Sequence, residues 1–190
     1  MPDLTANCND LIFDAIEFAA KAHRGHYRKS TKIPYFTHPL SVAKLLIEAG
    51  CEEELAVAGL LHDTIEDTSV TLAQIEQVFG KRVARLVQGL SEPDRADTWE
   101  NRKQHTIDYL KTAPLDIVIV ACADKLDNIR SMRQGYAKLG EPFWERFNRP
   151  KEKQAWYYGS LAEVFTGRIE DARTEALFTA FQAEIEQVFG

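Results

Sequence analysis

The residues best suited to chemistry lie in the segment 60–67, where one imidazole and three carboxylates follow an apolar run. In a helix, His62 and Glu66 share one face, and Asp63 and Asp67 share the adjacent face, because residues four positions apart are neighbours. An imidazole beside carboxylates can bind a divalent metal ion or transfer protons during catalysis. A hydrophobic core does not require such a group of charges, so we interpret this segment as part of a functional site.

Two distant residues extend the candidate site. His38 lies at the predicted start of a helix, and Asp124 follows a long apolar segment. Together with His62 and Asp63, they offer two imidazoles and two carboxylates but no sulfur. This set suits an open Mn, Fe, Mg or Zn site with positions left for water and a phosphate oxygen. Hydrolysis at phosphorus is the reaction that such a site favours.

Each of these residues also has a purely structural interpretation. His38 could cap a helix, a His-Asp pair occurs by chance, and Asp124 could be a buried partner of Arg130 or Lys125. The joint pattern favours the metal site, because all four residues lie at or near the ends of apolar helices.

The distribution of charge bears on the same question. Residues 18–47 contain six basic residues and no acidic one, whereas residues 45–80 contain eight acidic residues and no Lys or Arg. A cationic strip next to a carboxylate-rich segment is what a metal site for a phosphorylated small molecule requires. Charge alone is equally compatible with two solvated faces of opposite sign.

The helical periodicity of apolar residues predicts an all-α fold in a single domain over residues 1–190. The segment 115–130 is ambiguous, because its β-branched first half could form a buried strand. We favour a helix, since Asp124 and Asn128 then share a face and no other segment could pair with such a strand. We also expect Trp156 to belong to the core. The predicted helices span about residues 10–23, 38–49, 52–67, 71–80, 83–90, 98–110, 115–130, 150–165 and 172–189.

Local signals set several of these boundaries. Pro39 suits the first position of the second helix, and Thr71 begins a capping box. Gly80 is expected to end the short fourth helix, which the apolar residues Ile75, Val78 and Phe79 define.

Composition narrows the possible functions. The net charge of −6 argues against general nucleic-acid binding, which relies on a basic surface. No apolar run reaches the roughly 20 residues of a membrane span, and the N-terminus lacks the pattern of a signal peptide. The scattered Cys8, Cys51 and Cys122 suggest free thiols in a reducing compartment. We therefore expect a cytoplasmic protein that acts on a small molecule, without nucleic-acid or membrane partners; the sequence does not indicate its oligomeric state.

Several motifs occur in an order that resembles a known family. Leu60-Leu61-His62-Asp63 and Glu66-Asp67-Thr68 lie between His38-Pro39 and Ala123-Asp124-Lys125-Leu126-Asp127-Asn128. The set is completed by Ala22-His23, Arg28-Lys29-Ser30, Pro34-Tyr35 and Phe79-Gly80. Over about residues 10–165 the chain resembles the HD-superfamily hydrolase domain of the RelA/SpoT proteins, and in particular the stand-alone small alarmone hydrolases, including the metazoan SpoT homologue.

The resemblance implies a helical HD-domain fold, Mn²⁺ as the metal, and removal of the 3′-pyrophosphate from ppGpp or pppGpp to give GDP or GTP. The acidic pair would handle the attacking water and the leaving 3′ oxygen. The residues implied are the metal ligands His38, His62, Asp63 and Asp124, the catalytic pair Glu66 and Asp67, and the substrate-binding residues Arg28, Lys29, Ser30, Asn128 and Ser131.

The chain departs from the family pattern in three places. Thr31-Lys32-Ile33 stands where a shorter Gly-Glu turn is usual, and Asp127 replaces a residue that is often His or Tyr. Residues 140–150 resemble a family-variable insertion that could cover the pocket, and Tyr157 and Tyr158 could line the nucleoside or belong to the core.

Two other functions stay open. One is hydrolysis of a different nucleotide, such as the 2′-phosphate of NADPH, an adenine alarmone or a dNTP; the other is a non-catalytic nucleotide sensor.

Overall fold

A helix of 25 residues runs through the middle of the fold and packs against several others. The computed structural model describes residues 11–190 apart from Ser30, Pro93 and Arg95. Within this part of the chain there are helices and loops, with one isolated β-bridge between Tyr27 and Pro34. The all-α prediction is confirmed. The helices are α1 (Leu11–Ala22), α2 (Thr37–Glu48), α3 (Glu53–Leu61), α4 (Thr64–Asp67), α5 (Leu72–Leu90), α6 (Trp99–Thr112), α7 (Leu115–Leu139), α8 (Lys151–Thr166) and α9 (Ala172–Phe189), and a 3₁₀ segment (Glu141–Arg146) connects α7 to α8.

Helix α3 and the first half of α7 form the centre of the core. Every residue from Leu55 to Leu61 is buried, and so is every residue from Ile117 to Asp124. Helices that are apolar on all sides need neighbours on all sides. Accordingly, α3 packs against α1, α2, α5 and α7, while α7 also contacts α2, α5 and α9. The ambiguous segment is therefore a helix, and its β-branched residues pack in the core.

Gly59 lets the antiparallel helices α2 and α3 approach each other closely. A Cβ atom at this position would lie 2.7 Å from Leu46 Cδ1 and 3.1 Å from Val42 Cγ1. The hairpin brings the start of α2 beside the end of α3. The rings of His38 and His62 consequently lie 5.3 Å apart, measured between centroids.

One predicted helix is interrupted. The sequence predicts a continuous helix over residues 52–67, but α3 ends at Leu61 and the single turn α4 starts at Thr64. The Thr64 hydroxyl donates to the Leu61 carbonyl at 2.7 Å, and His62 Nδ1 bonds to the Gly59 carbonyl at 2.8 Å. Side chains that bond to nearby carbonyls compete with the backbone ladder, which accounts for the break at the charged residues.

Two other boundaries differ in detail. Helix α2 begins at Thr37, so Pro39 is its third residue and not its first. Helix α5 continues past Gly80, where a left-handed backbone (φ +84°) bends it into two arms close to the two predicted helices. The capping box at Thr71 is present, with Gln74 as its partner.

Two apolar residues of the predicted helices are exposed, and for Trp156 the prediction of a core position is wrong. Val78 is 52% exposed, because Ile75 and Phe79, four residues apart, form the buried face of that arm. Trp156 is 38% exposed and packs one side of its ring near Trp99, whereas Tyr157 and Tyr158 are both buried. These tyrosines therefore belong to the core.

The remaining general expectations concern thiols and membranes. Cys51 and Cys122 are free thiols, and Cys8 lies outside the described residues. Among the helices that the structure describes, none combines the length and apolarity required to cross a bilayer.

The close contact at Gly59 yields a prediction. Gly59→Val should lower the free energy of unfolding by about 1–3 kcal/mol, because the added side chain would force α2 and α3 apart. Gly159→Val on α8 is the matched control, since a Cβ atom there has no neighbour within 4 Å. Urea unfolding of both variants measures the difference, and equal midpoints would contradict the tight contact.

Candidate metal centre

Three buried side chains from different elements meet at one point. His38 comes from the start of α2, His62 follows α3, and Asp124 lies near the middle of α7. One ligand atom from each residue lies within 4.8 Å of the others. His38 Nε2 is 3.1 Å from Asp124 Oδ1, and His62 Nε2 is 3.7 Å from the same oxygen. The three residues are distant in sequence, but the fold brings them into one cluster.

Hydrogen bonds orient both imidazoles towards this cluster. His62 Nδ1 lies 2.8 Å from the Gly59 carbonyl, which can only accept, so Nδ1 carries the proton. His38 Nδ1 lies 2.6 Å from Asp127 Oδ2, and donation to this carboxylate gives the same tautomer. Each Nε2 is then free to act as a ligand, an arrangement typical of metal-binding histidines.

The electrostatics favour a cation at this point. Burial disfavours charge on His62, but Asp63 and Asp124 outweigh burial and raise its pKa well above the usual value. Burial likewise opposes ionisation of Asp124, yet Lys125 and the two histidines hold its pKa well below the usual range. The cluster thus pairs an ionised carboxylate with imidazoles that tend to take up protons. A divalent cation would satisfy the same groups.

The donor set fits a divalent metal ion. His62 Nε2 is buried and faces two carboxylate oxygens, Asp63 Oδ2 at 3.0 Å and Asp124 Oδ1 at 3.7 Å, so a cation placed among these atoms would contact all three residues. Two imidazole nitrogens and one carboxylate oxygen leave coordination positions for water and substrate, as in catalytic sites. The cluster contains no thiolate, in contrast to closed structural zinc sites.

Asp63 lies beside the cluster. Its Oδ2 atom is 3.0 Å from His62 Nε2 and 3.8 Å from His38 Nε2. The same oxygen accepts a hydrogen bond from the Tyr35 hydroxyl. Burial of the phenol and the nearby Asp63 carboxylate both raise the pKa of Tyr35, so this hydroxyl stays a donor. The position of Asp63 suits a fourth ligand, and this role stays a prediction.

The predicted catalytic pair lies on α4, directly after the two site residues that follow α3. Glu66 Oε1 accepts a hydrogen bond of 2.8 Å from the backbone N–H of Glu92, in the loop between α5 and α6. Asp67 is exposed at the end of the turn. Glu92 in turn is bound by Arg102 and by Lys103, whose Nζ lies 2.6 Å from Glu92 Oε1. Glu66 is therefore connected to α6 through Glu92.

The predicted substrate-binding residues that the structure describes, Arg28, Lys29, Asn128 and Ser131, line a cavity of about 430 Å³ next to the metal centre. Arg28 donates to Ser131 Oγ at 2.7 Å and lies 3.6 Å from Asp127 Oδ2. Asn128 donates to Asp124 Oδ1 at 2.7 Å, so it connects the cavity to the cluster. Lys29 also lines the cavity. Ser30 lies outside the described residues.

Sequence reasoning gave no supporting role to two residues beside the cluster. Asp127 orients His38 and Tyr35 binds Asp63, whereas Lys125, whose Nζ lies 2.6 Å from Asp124 Oδ2, was considered as a partner of Asp124. The spacing of Asp127, three residues after Asp124 on one helix, was a usable signal. The contact of Tyr35 with Asp63 joins distant segments, and no local pattern encodes it. Asp124 does pair with Lys125, as the structural alternative required, but it also faces both histidines.

Comparison with known proteins identifies relatives along most of the chain. The HD domain family model matches residues 15–144. The guanosine-3′,5′-bis(diphosphate) 3′-pyrophosphohydrolase of Danio rerio is 35% identical over 133 residues, which are 67% of this chain and 73% of that protein. An Aquifex aeolicus protein of the same enzyme name is 35% identical over 120 residues, 62% of this chain but only 17% of its own length. The chain thus spans most of the first relative and under a fifth of the second.

Solved structures give a similar result. A protein of Listeria monocytogenes EGD-e is 36% identical, with a TM-score of 0.75 over 84% of this chain and 100% of that chain. A metazoan ortholog of SpoT, described as hydrolysing ppGpp, is 25% identical, with a TM-score of 0.74 over 92% of this chain and 94% of that chain. The family match, the Danio rerio relative and these two structures agree with the geometry of the site: the chain belongs to the HD domain family.

Proposed function

We propose that this protein hydrolyses the guanosine alarmones ppGpp and pppGpp to GDP and GTP, with release of pyrophosphate. The observation that carries the proposal is the contact between Asn128 and Asp124, which joins a cation-lined cavity to a buried His-His-Asp cluster. The Danio rerio relative is named for this reaction, and the metazoan structural neighbour is described as hydrolysing ppGpp. Together they support an enzyme whose reacting phosphate lies at the cluster and whose nucleoside lies in the cavity.

We propose His38, His62, Asp63 and Asp124 as the metal ligands and Mn²⁺ as the metal. The mixture of imidazole and carboxylate donors without sulfur supports this choice over a soft metal. When bound, a divalent ion polarises phosphoryl oxygens and lowers the pKa of water. Asp127 and Gly59 hold the two imidazoles in the tautomer that such an ion requires.

The reaction requires that water attack the phosphorus attached to the 3′ oxygen, that this P–O bond break, and that the oxygen take up a proton. We propose that Glu66 and Asp67 move these protons. The hydrogen bond from Glu92 fixes one oxygen of Glu66, so that the carboxylate keeps its position during turnover. Arg28 and Lys29 supply positive charge for the anionic nucleotide, and Asn128 and Ser131 line its ribose side. We propose Ser30 as a contact on the basis of the family motif.

Three broader proposals accompany this function. The packing of the described helices around α7 supports a single domain for the whole chain. The free thiols of Cys51 and Cys122 support a reducing compartment such as the cytoplasm. The net charge of −6 supports a small-molecule substrate over nucleic acid.

The metal ligands can be tested by a graded pair of variants. His62→Ala should lose bound metal, whereas Asp127→Asn should bind it about 10–100-fold more weakly, because only the support of His38 is lost. His26→Ala, which removes an exposed histidine, is the control. Metal content after dialysis and titration of Mn²⁺ measure both effects. A His62→Ala protein with the metal content of the parent would refute the ligand assignment.

The acidic pair can be tested without disturbing its surroundings. Glu66→Gln with Asp67→Asn should reduce turnover on the order of 10²–10⁴-fold, because both carboxylates lose their proton-transfer capacity. The amide oxygen introduced by Glu66→Gln can still accept from the Glu92 N–H, so metal and nucleotide binding should persist. Steady-state kinetics and calorimetric binding separate these effects, and unchanged turnover would rule out the proposed role.

The substrate can be tested with a panel of nucleotides in the presence of Mn²⁺. The protein should release pyrophosphate from ppGpp and pppGpp faster than it acts on the adenine analogues, NADPH or dNTPs. Orthophosphate released only from NADPH would favour the NADPH 2′-phosphate alternative. Tight binding of ppGpp by the metal-loaded protein without any product would favour a sensor.

A further inference from the structure

The lining of the nucleotide cavity is strongly basic. Arg28, Lys29, Lys138 and Arg146 all contribute to it, and the described lining residues include no carboxylate. Arg28 is partly neutralised by Asp127, 3.6 Å away. Three cations therefore face about 430 Å³ of space without an acidic residue in the described lining. Cations grouped around one cavity repel each other, so their arrangement favours an anionic ligand.

Arg146 reaches the cavity from a segment that the family motifs do not include. It belongs to the 3₁₀ segment after α7, and its guanidinium donates to the Lys29 carbonyl at 2.6 Å. Its guanidinium carbon also lies 5.3 Å from the centroid of the Phe143 ring, in a cation–π arrangement. These contacts hold the Arg146 guanidinium beside the loop that carries Arg28 and Lys29.

The 3₁₀ segment is itself fixed to α7. Phe143 is buried and packs directly on Gly135, where a Cβ atom would lie 2.2 Å from Phe143 Cε2. Phe147 and Met132 add further apolar wall to the cavity. A planar base can pack against such a wall, and the cations of the same lining remain available for phosphate.

One face of α7 sets the order of these groups relative to the metal centre. Asn128, Ser131 and Gly135 follow Asp124 at helical spacing and all line the cavity, as does Lys138. Lys138 lies fourteen residues after Asp124, or about 21 Å along the axis, and helical side chains lean back towards the N-terminus. Lys138 therefore lies farther from Asp124 than Asn128 and Ser131 do, in the direction in which a nucleotide would extend away from the metal cluster.

We propose that Arg146, with Lys138 and Lys29, forms a subsite for the 5′-phosphates of the nucleotide. This inference rests on the proposed function, because it places the 3′ phosphorus at the metal cluster. The 5′ chain leaves the ribose on the side opposite to the 3′ group, and the three cations meet it there. With such a subsite, the affinity for a nucleotide depends on how many 5′-phosphates the nucleotide carries. Arg146 is the strongest donor of the three, since a guanidinium binds phosphate through two N–H groups.

The test compares ppGpp with guanosine 3′-diphosphate, which has no 5′-phosphate. Arg146→Gln should raise KM for ppGpp on the order of tenfold and leave kcat unchanged, while KM for guanosine 3′-diphosphate stays the same. Arg146→Lys should restore most of the affinity for ppGpp. Arg24→Gln is the matched control, because it removes an exposed cation from the same basic strip but not from the cavity lining. Equal changes in KM for both substrates, or an unchanged KM for ppGpp, would contradict the proposed subsite.

Binding of the product provides a readout that does not depend on turnover. The wild-type protein should bind GDP more tightly than guanosine, and Arg146→Gln should lower the ratio of these two affinities about tenfold. Equal GDP affinity in wild type and Arg146→Gln would overturn the subsite even where ppGpp is hydrolysed. If ppGpp is not hydrolysed at all, the proposed function fails, and the comparison of GDP with guanosine still decides the subsite.

Discussion

Two imidazoles and one carboxylate share one buried point, and the rest of the structure is arranged to make this possible. Desolvation of such groups is costly unless each has a partner. Gly59 and Asp127 supply partners for the outer nitrogens, while Lys125 and Asn128 bind the Asp124 carboxylate. The inner nitrogens face the carboxylates of Asp63 and Asp124, at distances of 3.0 and 3.1 Å. Helix α3 and the first half of α7, which are buried on all sides, position His62 and Asp124.

Helix α7 relates chemistry to recognition. One of its faces carries Asp124, then Asn128 and Ser131, then the glycine against which Phe143 packs. A hydrogen bond from Asn128 to Asp124 runs along this face, and one from Arg28 to Ser131 connects it to the loop between α1 and α2. The spacing between Asp124 and the cavity residues of α7 is therefore set by the rise of a single helix. The loops add Arg28, Lys29 and Arg146 to the same cavity.

Much of this could be predicted from sequence because it depends on local periodicity. Helical spacing identified nearly all helices, and the order of motifs identified the residues of the cluster and of the cavity. The break after Leu61 was missed because two side chains bond to carbonyls within one turn, which apolar periodicity does not record. The burial of Trp156 was predicted wrongly, because the packing of α6 against α8 decides which of the three adjacent aromatic residues, 156–158, are buried. Tyr35 and Arg146 were missed because their partners, Asp63 and the Lys29 carbonyl, are distant in sequence.

The contact of Phe143 with Gly135 has a consequence for how such a protein can diversify. The connection between α7 and α8 touches the substrate cavity, yet it lies about 16 Å along the helix from Asp124. Changes in its length or composition can therefore alter the walls of the cavity without direct contact with the buried cluster of His38, His62 and Asp124. Asp124 of the cluster and the residues that α7 adds to the cavity wall thus lie on different parts of this helix. A new nucleotide preference can arise by changes in the short segment that connects α7 to α8.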